Sequence, residues 1–250
     1  MLTPQQITDF QQRGFLVLPA LGAPSYCAQI VDFAKNQLAH AIAPLEFEAE
    51  TGYPGAPSTK ADPGGDTVRR LLQVTKRDPL IADWATGTQL ATPLKQLLGP
   101  EVLMSQAHHN CIMTKQPRFS SLTGWHRDSR YWHFQRPELI SAWLALRNET
   151  VENGCLLVIP GSHRAEVAPE GLDAAQFLRT DFPANQALLN QAIPVPLNAG
   201  DVLLFSSNLF HAAGKNQTDQ IKYSMVFTYR AQDNPPKADT RSASLPELTI

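Results

Sequence analysis

Cysteine is scarce in this chain: three among 250 residues, Cys27, Cys111 and Cys155, with no C-x-x-C pair. An odd, scattered set supplies neither a disulfide framework nor a cysteine zinc site. An excess of one charge is missing too. Lys and Arg total 21 against 23 Asp and Glu, a formal charge of −2, so no global basic field draws the chain to nucleic acid or to an acidic membrane. No apolar run approaches the roughly 20 residues that span a bilayer. The polar opening MLTPQQITDFQQRG lacks the basic-then-apolar order of a secretory signal. There is no internal repeat, no heptad run and no linker to mark a second domain. What remains is a cytoplasmic, soluble, globular protein, with 43% hydrophobic residues to fill a core. It reads as a single domain over residues 1–250.

The first forty residues read as helix, strand, helix. Thr3 suits an N-cap, Pro4 the first helical position and Gly14 a C-cap. The run Phe15–Leu18 is a short buried strand, and a second helix starts near Ser25, with Ile30, Phe33, Ala34 and Leu38 at helical spacing. N-terminal helices thus occupy about residues 3–42. From about 45 to 68, Gly52, Pro54, Gly55, Pro57, Pro63, Gly64 and Gly65 crowd a segment without periodicity. It is either a lid over a site or a surface excursion. A short helix is expected from Thr92-Pro93-Leu94 to Leu98. Beyond Val102 the texture turns to strands: Val102–Gln106, His109–Lys115, Leu139–Arg147, Cys155–Ile159, Ile193–Pro196, Val202–Phe205 and Lys222–Arg230. Asn153-Gly154 suits a tight hairpin between two of them. Many short strands with regular turns predict a mainly β sandwich or jelly roll with helices packed outside it.

The most informative stretch is Thr123-Gly124-Trp125-His126-Arg127-Asp128. On an extended strand, residues i and i+2 share a face, so His126 and Asp128 present an imidazole and a carboxylate to one ion. His211, in Asn208-Leu209-Phe210-His211-Ala212-Ala213-Gly214, is the natural third ligand. Two histidines and one carboxylate with open positions are the arrangement of non-haem iron(II) oxygenases. Alone, an H-x-D triplet is more often a hydrogen-bonded pair than a metal site. His108 and His109 are adjacent and face opposite sides of a strand, so they do not serve one metal together.

The surrounding text is more specific. The run from Trp125 to Arg164, WHRDSRYWHFQRPELISAWLALRNETVENGCLLVIPGSHR, and Ala199-Gly200-Asp201 through Phe205, His211 and Asn216 resemble the phytanoyl-CoA dioxygenase family of Fe(II)/2-oxoglutarate oxygenases. The opening, from Ile7 through Leu18, resembles the family's N-terminal helix and strand. The resemblance covers most of the chain, leaving out about 45–90 and the tail after Arg230. It implies a double-stranded β-helix, a jelly-roll barrel related to cupins, with iron at its open mouth. Its metal ligands would be His126, Asp128 and His211, and its co-substrates 2-oxoglutarate and dioxygen. Asp128 stands where halogenating relatives carry a small residue, which implies oxygen insertion instead.

By the same resemblance, the distal carboxylate of 2-oxoglutarate meets a cation eleven residues past the second histidine. The family's usual arginine is Lys222 here, a charge without the planar fork. Ser224 shares its face, Trp143 lines the co-substrate pocket or the core, and Thr123 and Cys111 stand where relatives touch 2-oxoglutarate. For Cys111, a small buried hydrophobe is the simpler role. Arg127, Arg130, Arg136 and Arg164 gather around the H-x-D loop with Tyr131, Trp132 and Phe134. They suggest an anionic small-molecule substrate, with Arg127, Arg130 and Trp132 as contacts, or else loop-stabilising pairs. The expected activity is hydroxylation of an unactivated C–H bond of a small metabolite. Two alternatives stand beside it: a cupin-type metalloenzyme that does not use 2-oxoglutarate, and a non-catalytic jelly-roll binding protein.

Overall fold

A computed structural model describes residues 1–53 and 55–250. Helix α1 (Pro4–Arg13) opens on a capping box: Thr3 Oγ1 accepts from the Gln6 N–H while the Gln6 side chain takes the Thr3 N–H. Gly14 closes it at φ 80°, donating to Phe10 O, and a Cβ there would lie 2.4 Å from His163 Nδ1. Only glycine satisfies both the left-handed backbone and that close approach. Strand β1 (Phe15–Leu18) follows, then α2 (Pro24–Ala39), which buries Cys27, Ile30, Val31 and Ala34 along one stripe.

The segment read as a loop is partly ordered into the sheet. β2 (Leu45–Phe47) pairs with β3 (Val68–Leu72), which pairs with β4 (Val102–Lys115). Helix α3 (Pro79–Thr86), capped by Asp78, was not anticipated, and α4 (Thr88–Leu98) starts a turn before the expected Thr92, with Pro93 inside it. The buried stripe Leu90, Ala91 and Leu94 carries α4 through the hydrogen bond that Pro93 lacks. The remaining elements are β5 (Thr123–His126), β6 (Leu139–Ala145), β7 (Leu156–Val158), α5 (Gln186–Leu189), β8 (Ile193–Val195), β9 (Val202–Ser206), β10 (His211–Ala213), β11 (Lys222–Ala231) and β12 (Leu248–Thr249).

All strand pairs are antiparallel. One sheet runs β1-β9-β6-β11-β4-β3-β2, with β12 also on β4, and a smaller one runs β5-β10-β7-β8. This is the expected jelly-roll architecture. Strand alternation sorts the large sheet into two cores. Tyr223, Met225 and Phe227 of β11, with Ile140, Ala142 and Leu144 of β6, face the helices. Val226, Trp143 and Ala145 face the small sheet. The Asn153-Gly154 turn does not close a hairpin: Gly154 takes φ 79°, but β6 and β7 on either side belong to different sheets, so the turn is a crossing. One irregularity shapes the site. Phe227 pairs with Asn110 and the next residue, Thr228, with Ser105, so residues 106–109 bulge out of the ladder. No helix among the described residues is long and apolar enough to cross a membrane.

Candidate active site

The bottom of the small sheet brings the two histidines together. His126 ends β5, His211 begins β10, and the two are paired across the ladder with ring centroids 4.2 Å apart. Asp128 is presented by a short 3-10 turn, residues 128–131, rather than by strand alternation. Its Oδ1 lies 3.7 Å from Nε2 of each histidine. All three side chains are buried, and their ligand atoms lie within 4.8 Å of one another.

The donor set is arranged for a cation. His126 Nδ1 lies 2.8 Å from Gly124 O and His211 Nδ1 lies 3.0 Å from Leu209 O. A carbonyl only accepts, so each Nδ1 carries the proton and each Nε2 turns a free lone pair toward Asp128. Burial, then the neighbouring His211, push the His126 pKa well below the ordinary histidine range, which keeps the ring neutral. Burial opposes the charge on Asp128. The Ser141 hydroxyl, donating at 3.3 Å, favours that charge. Two neutral imidazoles and one carboxylate on one side of a cavity fit a divalent iron with open positions.

The cavity behind them measures about 290 Å³. At its inner end lie Lys222, Ser224, Trp143, Cys111 and Thr123, so the expected co-substrate residues do share one pocket. A residue that sequence reasoning missed organises them. Glu149, fully buried, accepts from Lys222 Nζ at 2.8 Å, from Ser224 Oγ at 2.6 Å and from Trp143 Nε1 at 2.8 Å. Thr123 Oγ1 accepts from Arg69, whose guanidinium lies 3.6 Å from Glu48. Burial pushes the Cys111 thiol up to about 12, so it is an inert wall group.

Toward the mouth, Arg70 bonds both Glu46 and the Tyr53 hydroxyl, and Tyr53 packs its ring 6.4 Å from His126 and 6.1 Å from Phe177. Trp132 does line the cavity, against His108 and His109 at 5.1 and 5.2 Å. Because of the β4 bulge, both of these histidines line it as well, against the strict alternation expected of adjacent residues. His109 Nδ1 stands 3.8 Å from Asp128.

The arginines of the H-x-D loop do not line the cavity. Arg127 donates to Ser162 O and Ala165 O, both at 2.6 Å, and lies over Phe210. Arg130 bonds Ala175 O and stacks 3.7 Å over Phe177. Arg136 pairs with Asp233 and Glu138, and Arg164 donates to Gln12 O. These four brace loops. The cations that do line the cavity are Arg69, Arg70, Lys115, Lys222 and Arg241.

A profile of the phytanoyl-CoA dioxygenase (PhyH) family matches residues 10–224. The chain belongs to the phytanoyl-CoA dioxygenase family. Among curated relatives, the ectoine dioxygenase of Sphingopyxis alaskensis is 27% identical over 93% of this chain and 77% of its own length. A probable phytanoyl-CoA dioxygenase of Caenorhabditis elegans is 26% identical over 68% and 56%. The crystal structure of EctD from S. alaskensis with 2-oxoglutarate and 5-hydroxyectoine superposes with a TM-score of 0.78 at 24% identity, covering 94% of this chain and 78% of that one. The epimerase SnoN, in complex with Fe3+, alpha ketoglutarate and nogalamycin RO, gives 0.73 at 19%, covering 93% and 85%. Both carry the double-stranded β-helix.

As a member of this family with an intact His-Asp-His group, the chain is an iron(II)- and 2-oxoglutarate-dependent dioxygenase. Family membership sets aside the cupin-type and binding-protein alternatives.

Proposed function

We propose that this dioxygenase hydroxylates a C–H bond of a small anionic metabolite bound between the His126–Asp128–His211 group and the mouth of the cavity. The reading is carried by one observation: the three ligand atoms open onto a single small cavity whose rim holds an uncommitted cation. Arg241 lines that rim, is exposed, and has no ion pair among the described residues. Its guanidinium suits a carboxylate or phosphate. A volume near 290 Å³ lies at the small end of ligand pockets, which favours a compact metabolite over a long acyl chain.

In this reading, His126, Asp128 and His211 hold the iron, which with 2-oxoglutarate and dioxygen supplies the oxidising chemistry when bound. Gly124 O and Leu209 O fix the imidazole tautomers, and Ser141 orients the carboxylate. Trp132 and Tyr53 wall the substrate space and exclude water. The part of the 45–68 segment that reaches the cavity, through Glu46, Glu50, Thr51 and Tyr53, is its covering flap. Three free, buried cysteines suit a reducing, cytoplasmic setting.

The test has two parts. Anaerobic titration of the apoprotein with iron(II) and then 2-oxoglutarate should give a saturable visible charge-transfer band that is absent in His126→Ala. A panel of small carboxylates and phosphates is then screened for stimulated succinate release. Stimulation by neutral or cationic compounds alone would overturn the anionic assignment.

A further inference from the structure

The inner end of the cavity poses a conflict. Lys222 and Ser224 are the groups to which the family resemblance assigns the distal carboxylate of 2-oxoglutarate, and both already bind a carboxylate belonging to the protein. Lys222 Nζ is 2.8 Å from Glu149 Oε2, Ser224 Oγ donates to Oε1 at 2.6 Å, and the Trp143 indole donates to the same oxygen at 2.8 Å. The side chains of Glu149 and Lys222 are 0% and 3% exposed, so bulk solvent screens the pair weakly. Glu149 is also anchored through its backbone, which exchanges hydrogen bonds with Leu197 at 2.7 and 3.0 Å.

The charge at this end is therefore already balanced. A second carboxylate arriving at Lys222 would meet one cation and one anion in a buried site, where like charges repel more strongly than in bulk water. Lys115, across the ladder from Lys222, does not restore the balance: its ammonium donates to Ser121 O, and burial and the nearby Arg69 and Lys222 disfavour its charged form. Arg69 is shared between Glu48 and Thr123.

We propose that Glu149 is a resident carboxylate occupying the seat of the co-substrate's distal carboxylate, and that 2-oxoglutarate gains Lys222 only by displacing it. Glu149 thereby sets both affinity and selectivity for the 2-oxo acid. The inference rests on the reading of the chain as a 2-oxoglutarate enzyme. Its signature is a weak preference: with the seat neutral, 2-oxoglutarate keeps little advantage over 2-oxopentanoate, which has the same length without the second carboxylate.

The experiment is calorimetric titration of the Mn(II)-loaded protein with each acid, without oxygen and without turnover. Wild type is expected to prefer 2-oxoglutarate by less than about tenfold. Glu149→Gln, which keeps the shape and removes the charge, should tighten 2-oxoglutarate by about tenfold or more and leave 2-oxopentanoate unchanged. Adding Lys222→Met should abolish that gain. A wild-type preference above tenfold, or a Glu149→Gln variant that binds 2-oxoglutarate no more tightly, overturns the proposal and leaves the co-substrate reading standing. If the variant does not fold, the wild-type preference decides alone. Binding of neither acid to the metal-loaded wild type and Glu149→Gln proteins overturns the co-substrate reading, and the proposal with it.

Discussion

Replacing Asp128 with alanine separates a metal ligand from a structural carboxylate. In the fold, Asp128 receives a single hydrogen bond, from Ser141 Oγ at 3.3 Å. The three imidazole nitrogens around it stand at 3.7–3.8 Å, beyond hydrogen-bond distance, and no Lys or Arg reaches it among the described residues. A hydrogen bond to a charged group contributes about 1.5–3 kcal/mol, and burying a carboxylate costs several kcal/mol. The two terms nearly cancel, so Asp128→Ala should change the stability of the metal-free protein by no more than about 1 kcal/mol. That is about 2–4 °C in Tm for a chain of this size.

The metal-loaded protein should behave differently. A ligand at a hundred times its Kd stabilises the fold by about 2.7 kcal/mol, hence about 5–11 °C. The assay is anaerobic thermal unfolding, by circular dichroism, of both proteins with and without Mn(II). Wild type should show the metal-dependent rise and the variant should not. An apo variant destabilised by more than about 3 kcal/mol would make Asp128 a structural residue, and a variant that keeps the full rise would remove it from the metal site.

Gly14→Ala forces a left-handed residue and a Cβ onto His163, and should lower stability by about 2 kcal/mol in urea unfolding, with only the steric part relieved by adding His163→Ala. His108 is held neutral, its pKa pushed by burial down to about 3 from 6.5. The unfolded chain therefore takes the proton first, and the stability this residue contributes is complete above pH 6.5 and drains as pH falls from 6.5 toward 3, at up to about 1.4 kcal/mol per pH unit. Urea midpoints at pH 7 and pH 5 should show a smaller drop in His108→Gln than in wild type. Arg241→Gln should raise KM for the anionic substrate by about three- to tenfold with kcat unchanged. Arg127→Ala, which strips a donor from two backbone carbonyls, should cost about 1–3 kcal/mol of stability and leave KM alone.

The metal group was legible because its signal is local and ordered: an H-x-D followed by a distant histidine inside a run of family motifs. The family resemblance, through its eleven-residue spacing, pointed to Lys222, which does line the cavity. Glu149 was not legible, because nothing in Asn148-Glu149-Thr150 distinguishes a buried carboxylate from a solvated turn residue until the crossing from β6 to β7 carries it under Trp143. Arg69 and Arg70 were not singled out: they follow directly on the segment read as a loop, about 45–68, and fall in the stretch that the family resemblance leaves out, although β3 pairs with β4 there. The arginines around the H-x-D loop follow the second of the two readings open to them, bracing loops. Their clustering in sequence was real, but the backbone carbonyls of neighbouring loops absorb them.

Pairing, rather than proximity in sequence, sorts the charges of this cavity. Arg70 is committed to Glu46, Arg69 faces Glu48, Lys222 holds Glu149, and Glu50 is held by Lys60. Each such pair is self-contained and offers a ligand little net charge. Among the described residues, two charged groups of the cavity are left with neither a countercharge nor a backbone carbonyl: Asp128, between two imidazoles, and Arg241, at the rim. A buried carboxylate without a cation is stable in a fold when a cation is its ligand, and an arginine left free at a cavity mouth suits an anion arriving from solvent. On the proposed reading, the two unpaired charges mark the inner and outer limits of the space that would hold the substrate. The neutralised end at Glu149 lies outside that space, where it governs the co-substrate instead.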